Sequence, residues 1–135
     1  MRIVSLLPSC TEILFALGLE HEIIGVSHEC DFPNQAKSKP VLTKSKINTL
    51  GSSNEIDKEV LDVVKRGLSV YEIYEDKLKE LNPDLILTQD QCEVCAVSLK
   101  DVQEAIKNSF HANILSLKPE SLPDILNDIS RIGEA

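Results

Sequence analysis

The stretch that decides the fold is residues 3–18, which read IVSLLPSCTEILFALG. Its first five residues form a short, mostly apolar run that ends at Pro8, as a buried strand would. Ser9 and Glu12 then have the S-x-x-E spacing of a capping box, which marks the first turn of a helix. The apolar stripe that follows ends at Gly18, a residue typical of helix ends. The chain thus begins with a predicted strand, a tight turn and a helix.

The same alternation continues to the end of the chain. Further strands are predicted at residues 23–27, 40–42, 84–88 and 113–117, and further helices begin near residues 52, 74, 98 and 121. Apolar strands that alternate with helices predict an α/β fold, an open and mostly parallel sheet with helices on both faces. The apolar stripe of the last helix extends to the end of the chain at Ala135. This pattern is expected either for a terminal helix with a frayed end or for a helix that continues into a second lobe.

Length and composition narrow the class of protein. The chain has 135 residues, of which 42% are hydrophobic and 27% charged, and this is typical of one globular domain. Its net charge of −8 argues against nucleic acid or an anionic membrane as a partner. It has no apolar run long enough to span a bilayer. Motifs for phosphate binding and for a nucleophilic serine are missing, so the sequence does not indicate an enzyme.

The four cysteines are the unusual part of the composition. The chain enters a strand at Ile3, directly after Met1-Arg2, and leaves no room for an export signal. As written, the protein is expected in the cytoplasm, where thiols stay reduced and clustered cysteines indicate metal or redox chemistry. If a leader was removed, the expected place is the periplasm or the cell surface.

All four cysteines follow predicted strands, so they are expected at the carboxyl edge of the sheet, where open α/β proteins bind ligands. His28 follows a strand too, whereas His21 and His111 precede strands. The candidate ligand-binding residues are Cys10, His28, Glu29, Cys30, Asp90, Gln91, Cys92 and Cys95. The Cys-x-x-Cys spacing fits zinc, an iron–sulfur cluster or a redox pair. The candidate metal ligands are His28, Cys30, Cys92 and Cys95.

Four short motifs occur in an order that is typical of one protein family. They are SLLPSCTEI at 5–13, GVS at 25–27, DFP at 31–33 and LNPDLIL at 81–87. Together they resemble the N-terminal lobe of the class III substrate-binding proteins, the helical-backbone receptors of ABC importers for cobalamin, siderophores and haem. The resemblance implies an N-terminal α/β lobe at 1–120 and the start of an interlobe connector helix at 121–135, with the second lobe absent.

The resemblance also implies a function. The chain is expected to be the non-catalytic, ligand-binding component of an ABC-type uptake system for cobalamin or another metal complex or metal ion. Glu75 or Asp76 would dock onto the permease. Cobalamin receptors present an aromatic side chain after the second strand, where this chain has Glu29, and the chain contains no Trp. This departure argues against a large apolar macrocycle and leaves a metal, a metal complex, or a corrinoid whose cobalt is reached by His28 or a thiol.

Two other interpretations of the cysteines stay open. One is a cytosolic redox or sensor protein on the same fold, with zinc or an iron–sulfur cluster and with Cys92 and Cys95 as its working pair. The other is that the cysteines are unrelated packing residues, Cys10 above all. The candidate cofactors are therefore cobalamin, zinc or an iron–sulfur cluster. The expected partners are the ligand and an ABC permease, and pairing of two copies is left open.

Overall fold

The computed structural model describes residues 1–47, 50–66, 69–91, 96–107 and 109–135. The strands are β1 (Ile3–Ser5), β2 (Ile23–Val26), β3 (Thr43–Ser45), β4 (Tyr71–Ile73), β5 (Leu85–Gln89) and β6 (Asn113–Leu117). The helices are α1 (Pro8–Ala16), α2 (Ser53–Lys65), α3 (Glu75–Leu81), α4 (Leu99–Ile106) and α5 (Leu122–Glu134), with a 3₁₀ helix at Asn34–Ser38.

Four strands form the central sheet in the order β2-β1-β5-β6, and every neighbouring pair in it is parallel. Ile3 of β1 pairs with Ile23 on one side and Leu85 on the other, so β1 and β5 are central strands. Their residues are buried throughout, as expected for strands covered on both faces. The predicted parallel α/β fold is confirmed.

Alternate residues of the central strands serve two separate apolar cores. Ile3, Leu85 and Leu87 join one core with α1 and α5. Val4 and Ile86 join the other core, which contains side chains of α3 and α4 and packs against α2. This two-fold alternation follows from the strand geometry, in which successive side chains point to opposite faces. Helices therefore cover both faces of the sheet, as the sequence predicts.

The start of α1 differs from the prediction. The expected capping box of Ser9 and Glu12 is wrong, because the helix begins at Pro8 and Leu7 is its N-cap, without a side-chain hydrogen bond. Proline suits the first helical position, since its fixed φ is already helical and its missing amide hydrogen has no partner there anyway. The predicted stop is confirmed, because Gly18 has a φ of 74°, a conformation that favours glycine.

Two later helix starts agree with the sequence. The Glu55 carboxylate accepts hydrogen bonds from the Ser52 amide and hydroxyl at 2.8 and 2.7 Å. The Asp101 carboxylate accepts from the Ser98 amide at 3.2 Å, and the Ser98 hydroxyl accepts from the Asp101 amide at 3.3 Å. Local side chain–backbone spacing decides such caps, which is why the sequence reveals them.

The region between β2 and α3 was predicted less well. The expected strand at 40–42 is wrong, because Val41 forms only an isolated bridge with Val26. The strand β3 lies three residues later and pairs antiparallel with β4, a strand that the sequence did not predict. Tyr71 of β4 is buried, so tertiary packing rather than a local pattern decides this strand.

Helix α5 packs on the lobe only through its second half. Residues 121–127 are exposed, whereas Asp128 and Ile132 are buried, the latter in the core shared with α1. The last helix is thus part of the lobe's own packing. That residues 121–135 also begin an interlobe connector, after a lobe at 1–120, stays a prediction.

Candidate functional site

The carboxyl ends of the four parallel strands form one edge of the sheet. The segments that leave this edge are residues 6–7 after β1, 27–33 after β2, 90–91 after β5 and 118–121 after β6. Because the strand order is β2-β1-β5-β6, the segment after β2 lies at one end of the edge and the segment after β6 at the other. Ligands of open α/β sheets bind at such edges.

Cys30 belongs to a buried polar cluster below this edge. Its side chain is 4% exposed. Its Sγ lies 3.2 Å from the Thr11 hydroxyl and 3.2 Å from the Ser27 hydroxyl, and the Thr11 hydroxyl donates to the Ser5 hydroxyl at 2.8 Å. The thiol thus has polar partners within the lobe, as buried polar groups require. This arrangement favours a packing role for Cys30, and its role as a metal ligand stays a prediction.

Cys10 is fully buried in the first turn of α1. Burial, together with Coulombic interactions with Cys30 and Asp128, raises the pKa of its thiol to about 12. At neutral pH the free thiol is therefore protonated and a poor nucleophile. The structure places Cys10 in the core, and its role as a ligand-binding residue stays a prediction.

The other two cysteines lie outside the described residues. Cys92 and Cys95, with the two residues between them, are not part of the described ranges. Among the residues that the structure does describe, no group of three or more His, Cys, Asp or Glu side chains could hold a metal ion. A cysteine cluster therefore has no support there, and a metal site of His28, Cys30, Cys92 and Cys95 stays a prediction.

His28 is exposed at the β2 end of the edge, and its ring is held in place. The imidazole Nδ1 lies 2.8 Å from the hydroxyl oxygen of Thr43, which also accepts the His28 backbone amide at 3.0 Å. The Tyr71 ring lies beside it, with ring centroids 5.6 Å apart. Two contacts from the β3–β4 ribbon thus orient the imidazole. This is the arrangement of many metal-binding histidines, whose second nitrogen is fixed by a hydrogen bond.

Glu29 is tied to the same ribbon. The Tyr71 hydroxyl donates to Glu29 Oε1 at 3.2 Å, and the Glu29 backbone amide donates to the Ser27 hydroxyl at 3.3 Å. Glu29 is exposed, so its carboxylate stays solvated next to His28. Thr43 and Tyr71 were missed in the sequence because they lie far along the chain and reach the site only through the ribbon.

Asp90 and Gln91 directly follow β5 at this edge, and both are exposed. Hydrogen bonds to backbone carbonyls hold them: the Asp90 amide donates to the Leu117 carbonyl at 3.1 Å, and the side-chain Nε2 of Gln91 donates to the Pro119 carbonyl at 2.9 Å. They join the segments that follow β5 and β6. In the strand order, β1 and β5 separate β6 from β2, which His28 follows.

A cavity of about 460 Å³ opens between α1, α5 and the ends of β5 and β6. Its walls are mostly apolar, with a few polar side chains; the lining residues are Leu7, Ser9, Ile13, Gln89, Gln91, Leu117, Pro119, Ile125 and Asp128. We call it the Asp128 cavity. Asp128 is 5% exposed, and its Oδ1 accepts from Arg131 Nη1 at 2.7 Å. Its Oδ2 is buried without a hydrogen-bond partner.

The sequence does contain a signal for the buried carboxylate of Asp128. Asp128 lies three residues after Ile125 and four before Ile132, so it falls on the apolar stripe of α5. A carboxylate at such a position is buried, and buried carboxylates need partners.

The predicted permease-docking residues begin α3. Glu75 and Asp76 are exposed in its first turn, next to Tyr74. Two lysines lie near the Tyr74 ring, with Lys44 Nζ 5.7 Å and Lys77 Nζ 4.6 Å from its centroid. The acidic pair is therefore accessible but flanked by positive charge, and its docking role stays a prediction.

No protein-family model matches the chain. The chain is 27% identical over 135 residues to the ABC transporter substrate-binding lipoprotein YvrC of Bacillus subtilis (strain 168), itself described as uncharacterised. The match covers 99% of this chain and 33% of YvrC.

Solved structures show the same relation. The periplasmic vitamin B12 binding protein BtuF of Vibrio cholerae superposes with a TM-score of 0.67 at 22% identity, over 98% of this chain and 40% of BtuF. A periplasmic solute-binding protein of Staphylococcus epidermidis, described as a possible iron-binding protein, superposes with a TM-score of 0.62 at 25% identity, over 98% of this chain and 41% of that protein.

The chain thus spans about a third to two-fifths of the length of the proteins it matches. Within the described ranges, no helix is long and apolar enough to cross a membrane. These relatives are periplasmic proteins or lipoproteins, so they give no support to a cytoplasmic location. The chain has the fold of one lobe of the class III, helical-backbone substrate-binding proteins, and the resemblance drawn from its sequence is confirmed.

Proposed function

We propose that the chain is a ligand-binding lobe of an ABC-type uptake system for cobalamin or another metal complex or metal ion. The observation that carries the proposal is His28, an exposed imidazole at the carboxyl edge of the sheet with one nitrogen held by Thr43. When Nδ1 donates to the Thr43 hydroxyl, Nε2 keeps its lone pair and is free to coordinate a metal.

The surroundings of His28 suit a metal complex better than a bare ion. Phe32, in the same loop, is 63% exposed, and Tyr71 lies against the imidazole. Phe32 is thus an exposed aromatic side chain in the loop that carries His28, and such a side chain suits apolar contact with an organic ligand around a metal. A bare ion would need several close ligands, and the described residues do not offer them.

The redox alternative is not favoured. It needs accessible thiolates, and both described cysteines are buried. Cys10 is held protonated by burial, and Cys30 has hydroxyl partners within the lobe. A working pair of Cys92 and Cys95 would have to act without them.

The proposal also covers the second lobe, the location of the protein and its permease partner. The matched relatives are periplasmic proteins or lipoproteins, and they are about two and a half to three times as long as this chain. A second lobe would therefore face the carboxyl edge of the sheet and close a ligand cleft from the other side. We place the protein in the periplasm or on the cell surface. Glu75 and Asp76 are the surface through which it would meet a permease.

A visible-absorbance titration tests the proposal. Aquocobalamin is added to the wild-type chain and, separately, to His28→Gln and His21→Gln variants. We expect the cobalamin bands to shift on coordination by an imidazole, in the wild type and in His21→Gln but not in His28→Gln. His21 is a matched control because its side chain is 90% exposed and precedes β2, at the opposite edge.

Two results would contradict the proposal. One is the absence of any spectral change in the wild type with aquocobalamin, haemin and Co²⁺. The other is an equal change in His28→Gln, which would show that coordination occurs elsewhere.

A further inference from the structure

The Asp128 cavity has two features that point to a ligand. Its volume of about 460 Å³ lies within the range of small-molecule sites, roughly 300–1,000 Å³, and its walls are mainly apolar with few polar groups. Asp128 also lines it, and one carboxylate oxygen of this residue, Oδ2, is buried and has no hydrogen-bond partner. Buried polar atoms nearly always have a partner, and an orphan such as this one calls for an explanation.

The packing of α5 explains why the cavity exists. The helix contacts the sheet from Asp128 onward, whereas its first half is exposed. Ile125, which lines the cavity, is 45% exposed, and Leu117 forms the facing wall at the end of β6. A molecule in the cavity would cover the apolar side of this first half and fill the space between helix and sheet.

Asp128 defines the chemistry of the group that would meet it. Arg131 Nη1 already donates to Oδ1 and Arg131 Nη2 donates to the Ser116 carbonyl, so the carboxylate charge is balanced. What remains is an acceptor that needs a hydrogen-bond donor. Because Asp128 lines the cavity, a donor on a bound molecule lies next to this carboxylate.

We infer that the Asp128 cavity is a second binding site, for a small molecule with an apolar or aryl body and one neutral N–H donor that reaches the Asp128 carboxylate. The site is separate from His28, which follows β2 at the far side of the sheet from β6. It does not require a metal complex, so it does not depend on the function proposed above.

Benzamide and acetophenone form a matched pair of probes. The two have nearly the same shape, and the amide NH₂ of benzamide takes the place of the acetophenone methyl. Each is titrated into the wild-type chain without metal, and the methyl NMR signals of Leu7, Ile13, Leu117 and Ile125 report binding. We expect benzamide to bind about tenfold to a hundredfold more tightly than acetophenone, because a hydrogen bond to a charged group adds that much affinity.

Three variants test whether the preference for benzamide over acetophenone arises at Asp128. In Asp128→Leu the affinity ratio of the two probes should fall to about one, whereas Glu134→Leu, the same kind of change at an exposed position of α5, should leave it unchanged. Ile125→Phe narrows the cavity and should weaken both probes. Equal affinities of the probes for the wild type would overturn the inference, as would shifts confined to methyl groups outside the cavity. A ratio that survives in Asp128→Leu would overturn it too.

Discussion

Gly25 in β2 leaves little room for a side chain, because the buried side chain of Leu42 lies close to its backbone. A Cβ added there would lie 2.5 Å from Leu42 Cδ1, 3.1 Å from Leu42 Cγ and 3.2 Å from Leu81 Cδ1. Leu42 is fully buried, and its backbone is fixed by a hydrogen bond to the Val26 carbonyl at 2.9 Å and one from the Tyr74 amide at 2.8 Å. The substitution Gly25→Ala should therefore overpack this part of the core.

Two opposing contributions set the change in unfolding free energy for Gly25→Ala. Overpacking a core costs about 1–3 kcal/mol. Replacing a strand glycine by alanine returns about 0.5–1 kcal/mol, because the unfolded chain loses less entropy. The expected net loss is about 1–2 kcal/mol of unfolding free energy. With an unfolding entropy of about 2.1 cal/mol/K per residue, the Tm of the 135-residue chain should fall by about 4–7 °C.

Urea denaturation and calorimetry measure this loss, and two variants serve as controls. In Gly133→Ala the new methyl would lie 3.7 Å from Leu17 Cδ1, an ordinary contact, so no loss of stability is expected. Leu42→Val removes the δ carbons that clash with the new methyl. The double variant with Gly25→Ala should therefore lose less than the sum of the single changes.

Gly25→Ala should also displace the His28 imidazole, because Thr43 directly follows Leu42 and contacts that ring. A change in the NMR chemical shifts of the His28 ring would report this displacement. An unchanged or raised Tm in Gly25→Ala would refute the packing described for β2, and strict additivity with Leu42→Val would refute the assignment of the clash to Leu42.

Three further outcomes follow from the structure. The pKa of Cys10 is raised from 9.0 to about 12, so its contribution to stability is complete below pH 9 and is lost as the pH rises from 9 to 12. In Cys10→Ala the unfolding free energy from urea denaturation should fall less steeply over that range, by about 1.4 kcal/mol per pH unit. In a chain whose other two cysteines are serine, Cys10 and Cys30 should react with a thiol reagent only after unfolding, and fast labelling of the native protein would contradict their burial. Thr43→Val should weaken any cobalamin spectral shift that depends on His28, with unchanged far-UV circular dichroism as the check on folding.

Local features of the sequence were enough for the class of fold. Apolar runs such as 84–88 and caps such as Ser98 with Asp101 depend on residues a few positions apart, and the structure confirms both. The motif order also led to the right family of folds. The capping box at Ser9 failed because two neighbouring signals competed, and Pro8 began the helix first.

The sequence predicted where the candidate site lies in the fold but not how exposed its residues are. The rule that ligands meet the carboxyl edge placed His28 and Glu29 at that edge, and the structure has both directly after β2. It gave no information on depth, so it grouped the exposed His28 with the buried Cys10 and Cys30. Burial depends on what packs above a residue, and here that is decided by helices and loops from distant parts of the chain.

The sequence by itself determined the alternation of strands and helices, the strand ends that carry the candidate site, and the likeness to one lobe of the substrate-binding proteins, because these depend on local periodicity and short motifs. Only the tertiary structure decided the strand order, the β3–β4 ribbon and the contacts it makes with His28. It also decided that Asp128 faces a cavity with one oxygen unpaired. Such contacts join residues far apart along the chain, and no local pattern encodes which of them meet.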